Sequence, residues 1–86
     1  MHIDFTKEFD KQFAKLPRPK QLRAKAAVAL YLENPLAPAL RIHRLRGEWT
    51  GYCSISAGGD LRLHFRIVSA DTLLFVAIGT HSQLYK

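Results

Sequence analysis

Cysteine is nearly absent from this chain: Cys53 is the only one in 86 residues. It has no partner for an internal disulfide and no second cysteine for a metal site, which fits a reducing compartment. Acidic side chains are also scarce, seven against thirteen Lys and Arg, and they form no cluster. A two-metal nuclease needs several oxygen ligands, so that class is disfavoured and no metal or other cofactor is expected. No apolar run approaches the ~20 residues of a membrane span. The N-terminus lacks the basic-then-apolar order of a signal peptide, so the expected location is cytoplasmic, with no membrane partner. There is no internal repeat, low-complexity segment or linker, and 86 residues make one small domain, 1–86, with a single modest core.

What the chain does have is positive charge. A net charge of +6 and a pI near 9.9 on so short a sequence favour a polyanionic partner. The charge lies on patterned segments rather than in a tail, which points to a binding surface. The clearest segment is Gly58 to Lys86, GGDLRLHFRIVSADTLLFVAIGTHSQLYK. Leu61, Leu63, Phe65 and Ile67 alternate with Arg62, His64 and Arg66, the period of a half-buried strand. Ser69-Ala70-Asp71 turns the chain into a second strand over Thr72–Ile78, rich in strand-forming residues. The hairpin thus predicts one apolar face covered by something else and one cationic face left open.

Ahead of the hairpin, Met1 to Phe5 alternates weakly and reads as a short edge strand. Thr6 is a candidate N-cap, and Phe5, Phe9, Phe13 and Leu16 follow with the spacing of one helical face, read as core packing. Lys7, Lys11 and Lys15 share a different, solvated face. Pro17-Arg18-Pro19 breaks the pattern, and a second helix is predicted from about Lys20 to Glu33 through Leu22, Ala26, Ala29 and Leu30, stopped by Asn34-Pro35. So short a connection predicts an antiparallel helical hairpin lying over the apolar strand face. Leu36 to Leu40 reads as a loop, and Trp49 to Ser56 as a strand entering the turn Ala57-Gly58-Gly59-Asp60. The expected fold is α+β: an antiparallel sheet of about four strands with two N-terminal helices on one face.

The chemistry-bearing residues suit RNA. Cleavage by 2′-hydroxyl attack needs a base, a cation at the phosphate and an acid at the leaving oxygen. Histidine, with an unperturbed pKa of about 6.5, serves for both proton transfers, and arginine serves the phosphate. His43, His64, His81 and Asp60 are available for the first task; Arg62, Arg66, Arg41, Arg44 and Arg46 are available for the second. Trp49, Tyr52 and Tyr85 offer surfaces for base stacking, although Trp49 beside a glycine reads first as a packing residue. Each residue also has a plainer reading. His81 would serve as a cap on the terminal turn, Asp60 would serve the Gly-Gly-Asp turn, and His64 with Arg66 would be solvated strand polar groups.

F-x3-F-x3-F in the first helix, NP after the second, H-x-L-x-G-x-W-x-G-Y at His43–Tyr52, the D-L-R-L strand, and I-G-T-H-S-x-L-Y at Ile78–Tyr85 resemble the RelE superfamily of type II toxin–antitoxin toxins. The YafQ branch is the most similar. The resemblance implies a microbial-RNase-like fold and a toxin that cuts mRNA in the ribosomal A site without a metal. It also implies inhibition by a cognate antitoxin. By matching positions it implies catalytic roles for His43, Asp60, Arg62, His81 and Tyr85. His81 and His43 would divide the proton transfers, Asp60 would orient one of them, Arg62 would hold the phosphate, and Tyr85 would stack or hydrogen-bond nearby. Arg41, Arg44, Arg46, Arg66 and His64 would bind RNA. The chain departs from the YafQ pattern at Ser56 and Ala77, where a histidine and an arginine are expected, and lacks the lysine pair of RelE's second strand. Two other readings use the same fold: a ParE-like gyrase poison, disfavoured by the placed histidines, and a non-catalytic module that binds RNA or antitoxin.

Overall fold

Thr6 ends the first strand and starts the first helix. β1 (His2–Phe5) leads into α1 (Lys7–Ala14), and the Thr6 hydroxyl accepts the Phe9 N–H at 3.1 Å, pairing a donor that the helix start leaves open. In this computed structural model, which describes residues 1–85, α2 spans Arg18–Glu33 with Pro19 in its first turn. The helix begins two residues ahead of the expected Lys20, because proline's missing N–H costs nothing in a first turn. Asn34 stops it, and its side chain folds forward to accept the Leu36 N–H at 3.3 Å.

The inward stripe of α2 differs from the predicted one. Leu22, Ala26 and Ala29 are exposed, while Ala24 and Ala27 are buried and Val28, Leu30 and Tyr31 pack partly against the core. Apolar residues are spread around this helix, so spacing alone did not select the stripe. The two helices are tied by the Gln21 amide, which donates to the Phe13 carbonyl at 3.0 Å.

Beyond α2 come β2 (His43–Arg44), β3 (Cys53–Ser56), β4 (Leu61–Ser69), β5 (Thr72–Thr80) and a terminal helix α3 (His81–Leu84). The sheet has five strands in the order β1-β5-β4-β3-β2, and β1 lies parallel to β5 while the other pairs are antiparallel. It is therefore mixed, with one strand more than expected. The added strand is β2, whose two residues fall in the basic stretch the sequence left unassigned. Trp49 belongs to a short 3-10 turn, Gly47–Trp49, so the strand predicted from Trp49 is shortened to Cys53–Ser56.

β5 does not alternate in sequence, and the register shows why. His64 pairs with Ala77 and Phe65 with Phe75, which leaves Val76 as an extra residue in a β-bulge. The bulge lets Phe75 face the helices while Ala77 faces away. Past the end of β1, the Gln12 side-chain oxygen accepts the Ile78 N–H at 2.9 Å and satisfies a donor the short edge strand cannot reach.

The core fills the space between sheet and helices. Leu61, Leu63, Phe65, Leu73, Phe75 and Ile55 are buried from the sheet side, with Phe9, Ala24 and Ala27 from the helices. Phe9 meets Phe75 edge-on at 6.0 Å, and Tyr31 meets Phe65 edge-on at 5.0 Å. Ile67 was expected to join this face but is 60% exposed, because the β4–β5 hairpin extends past the helices.

Candidate active site

The side of the sheet away from the helices carries the polar groups, and the register assembles them in rows. His43 pairs with Ser54, Ser54 with His64, and His64 with Ala77, so one row crosses β2 to β5. In the next row Ser56 pairs with Arg62 and Arg62 with Gly79. Side chains directly opposite one another share a face, and those two apart along a strand do so as well. Arg62 therefore lies on the same side as His64. Arg44 pairs with Cys53 on the other face, which separates its side chain from that of His43. Arg41, Arg44, Arg46 and Arg66 are all exposed.

Arg62 is anchored by one end of its guanidinium. Nη1 donates to the Gly59 carbonyl at 2.8 Å, the Leu61 carbonyl at 3.1 Å and the Ser56 hydroxyl at 3.2 Å. Among the described residues Nε and Nη2 have no acceptor, so two donors remain for an anion. Ser56, one of the departures from the family pattern, thus serves as a buried acceptor for Arg62 and for the Gly58 N–H at 3.2 Å.

His43 is exposed on the edge strand. Its Nδ1 lies 3.1 Å from the Arg41 carbonyl, and because a carbonyl only accepts, Nδ1 carries the proton and Nε2 keeps its lone pair. Arg41 itself sits in the left-handed region at φ 47°, which turns its carbonyl toward the ring.

His81 is the first residue of α3, directly after β5. The cap of this helix is Thr80, not His81. The Thr80 hydroxyl accepts the Gln83 N–H at 3.2 Å, and the Gln83 side chain accepts the Thr80 N–H at 2.8 Å. Capping is thus complete without the His81 imidazole. Asp60 meets His81 through the backbone: the His81 N–H donates to the Asp60 carbonyl at 3.2 Å and reaches its Oδ1 at 3.4 Å. Its carboxylate therefore fixes the backbone at His81 instead of bonding the imidazole.

His64 is where the structure corrects the sequence reading most. It was placed on an open cationic face, yet it is fully buried, so it is not a surface ligand for RNA. The Trp49 ring stands edge-on to it at 4.4 Å, and the Tyr85 ring lies at 5.3 Å. Tyr85 also packs on His81 at 4.4 Å, while the Trp49 Nε1–H donates to the Leu84 carbonyl at 3.2 Å. Two segments distant in sequence thus close over β4. Among the described residues neither ring nitrogen of His64 has a hydrogen-bond partner, nor does the Ser54 hydroxyl opposite it in the ladder. Burial, and then the charges of His43 and His81, push its pKa down to about 4. It is neutral at pH 7.

Tyr85 links the buried and exposed parts of the site. Through it, His81 stands on the face that also carries His64 and Arg62. The structure thus brings Arg62, His81 and Tyr85 to one side of the sheet, with His43 at the far end of the His64 row. Sequence reasoning missed the Arg41 carbonyl and the Ser56 hydroxyl as partners. Neither has a signal in the sequence, because both depend on a turn conformation or on strand register. Trp49 is a packing residue, as its neighbourhood suggested.

A helical pair on one face of a short mixed sheet, with a histidine–tyrosine helix closing the other, is the architecture of RelE-superfamily toxins. The chain belongs to the YafQ family: the model for "Bacterial toxin of type II toxin-antitoxin system, YafQ" matches residues 1–86. Solved structures agree. YafQ from E. coli strain BL21(DE3) superposes with a TM-score of 0.81 at 25% identity, covering 98% of this chain and 97% of that one. YafQ in the E. coli DinJ–YafQ toxin–antitoxin complex gives 0.77 at 25% identity, covering 98% and 96%. A metal-bound toxin from Helicobacter pylori gives 0.72 at 27% identity, covering 99% of each chain. No curated protein sequence matches the chain. Among the described residues, no helix is long and apolar enough to cross a membrane.

Proposed function

We propose that this toxin is a ribosome-dependent mRNA endoribonuclease that cleaves by attack of the 2′-hydroxyl. The observation that carries the reading is the sheet face away from the helices, which holds a guanidinium with two free donor nitrogens, at Arg62, and imidazoles at His43 and His81. His43 serves as the base, since its Nε2 lone pair is kept available by the Nδ1–H bond to Arg41. It takes the 2′-hydroxyl proton, O2′ attacks phosphorus, and Arg62 neutralises the charge that builds on the phosphorane oxygens. The P–O5′ bond then breaks as His81, in its imidazolium form, donates a proton to O5′. The products are a 2′,3′-cyclic phosphate and a 5′-hydroxyl. Tyr85 holds the His81 ring by a tilted ring contact at 4.4 Å, and Asp60 holds its backbone.

Every step uses this chain's own side chains. The Helicobacter relative binds a metal; here, among the described residues, no three His, Cys, Asp or Glu side chains converge to hold one. Exposed Arg41, Arg46 and Arg66 supply non-specific phosphate contacts, which makes RNA affinity fall with salt. The natural partners are a cognate antitoxin, by likeness to the DinJ–YafQ complex, and a ribosome with mRNA in its A site. The ribosome is needed because an exposed site with three separated groups does little to position free RNA.

The test is cleavage of end-labelled mRNA by purified toxin, with and without programmed ribosomes. Cutting only on ribosomes, with cyclic phosphate ends, is expected. Intact message under both conditions, or 3′-hydroxyl ends, overturns the reading.

A further inference from the structure

We infer that His64 is a positioning residue: its buried ring is the seat on which Trp49 and Tyr85 close, and through Tyr85 it sets where His81 stands. The role given to His81 rests on the function proposed above; the packing relationship does not.

Three contacts carry the inference. Trp49 meets the His64 ring edge-on at 4.4 Å, Tyr85 packs against it at a tilt at 5.3 Å, and Tyr85 packs against His81, also tilted, at 4.4 Å. A fourth, from the Trp49 indole N–H to the Leu84 carbonyl, ties the same turn to the end of α3. α3 is only four residues long and has no buried residue, so its own packing does little to fix it. What holds it is the Thr80 capping box with the Asp60 contacts to the His81 N–H at one end, and the His64–Trp49–Tyr85 cluster at the other. A buried imidazole without hydrogen bonds is costly, and it is tolerated here only while neutral.

The groups facing His64 make proton uptake disruptive. His43 comes from β2, His81 from α3 and the Tyr85 phenol from the residue just after it, and Arg62 and Arg66 from two positions either way along β4. Apart from the phenol, those groups are arginines and histidines, and none is a carboxylate. A charge on His64 would therefore be repelled by its neighbours and would have no acceptor inside the cluster. Protonation drives the ring toward water, which parts Trp49 from Tyr85 and frees α3.

Trp49 is the sole tryptophan, so its emission reads this clamp directly. The experiment follows Trp49 emission and the Tyr85 and His81 ring resonances from pH 7 to pH 3 in wild type, His64→Leu and His64→Ala, with far-UV circular dichroism alongside. Leucine keeps the volume and cannot titrate. In wild type the emission and both rings are expected to change together near pH 4, before secondary structure is lost. In His64→Leu that transition is expected to vanish, and in His64→Ala the His81 and Tyr85 rings are expected to be displaced already at pH 7. The inference is overturned if His64→Leu keeps the wild-type transition, or if a folded His64→Ala leaves both rings in place. Should His64→Ala not fold, the His64→Leu comparison decides alone. None of these readouts depends on RNA cleavage.

Discussion

The Nδ1–H of His43 donates to the carbonyl of Arg41, two residues earlier, at 3.1 Å. This bond selects the tautomer and aims Nε2 outward, and the left-handed backbone at Arg41 makes the approach possible. His43→Ala should lower cleavage by roughly 10²–10⁴-fold, the usual worth of a general base, with little loss of stability from an exposed position. Single-turnover cleavage on programmed ribosomes, together with thermal unfolding, measures both.

Arg62 should not be replaceable by lysine. Nη1 is committed to Gly59, Leu61 and Ser56, while the remaining donors face outward. Lysine offers one ammonium, which cannot both keep those bonds and grip a phosphate. Arg62→Ala and Arg62→Lys should each cost about 10²–10³-fold in cleavage rate, as loss of a donor to a developing oxyanion does. Ser56→Ala should act on the same side chain more mildly, destabilising by about 1 kcal/mol through the lost acceptor. Rate measurements paired with urea denaturation distinguish the two effects.

Thr80 and Gly79 should prove necessary for the placement of His81. Thr80→Ala removes the hydroxyl that accepts the Gln83 N–H and should cost ~1 kcal/mol. At Gly79 an added Cβ would lie 2.8 Å from the Gln83 side-chain oxygen that accepts the Thr80 N–H. Gly79→Ala should therefore break the other half of the capping box. In both variants, loss of the His81–Tyr85 ring contact in NMR spectra is expected.

Stability should depend on pH through His64. Its folded pKa is lowered to about 4 from 6.5, so between those values the unfolded chain binds a proton that the native protein refuses. Stability should thus rise with pH from about 4 to 6.5, by up to roughly 3 kcal/mol, and this imidazole should add no further slope below pH 4. His64→Leu should remove that slope and raise stability at acidic pH, since it also eliminates two unpaired buried nitrogens. Denaturant midpoints across the pH range check it.

The sequence made the sheet legible wherever a single periodicity governed it. Alternation from Leu61 to Phe65 identified the buried side of β4, and Thr6 and Asn34 marked helix boundaries that the structure confirms. Alternation gave the side of the sheet for His64 but not its burial, because the cover comes from Trp49 and Tyr85, far away in sequence. The exposed tip at Ile67 was illegible for the matching reason: how far the helices reach is a tertiary fact. β2 escaped because two residues make no pattern, and the bulge at Val76 hid the period of β5. Of the site, residue identities were readable from motifs. The hydrogen bonds of His43 and Arg62 were not, since they run to backbone carbonyls and to a serine across the ladder.

The most direct measurement is primer extension on a translated message after toxin induction, comparing wild type with His81→Ala. Cuts within codons of the wild-type message are expected, together with an intact message in a His81→Ala protein that folds normally. A His81→Ala protein that still cuts, or a wild type that breaks DNA and leaves the message whole, would contradict the proposal that His81 and Arg62 act on one RNA linkage.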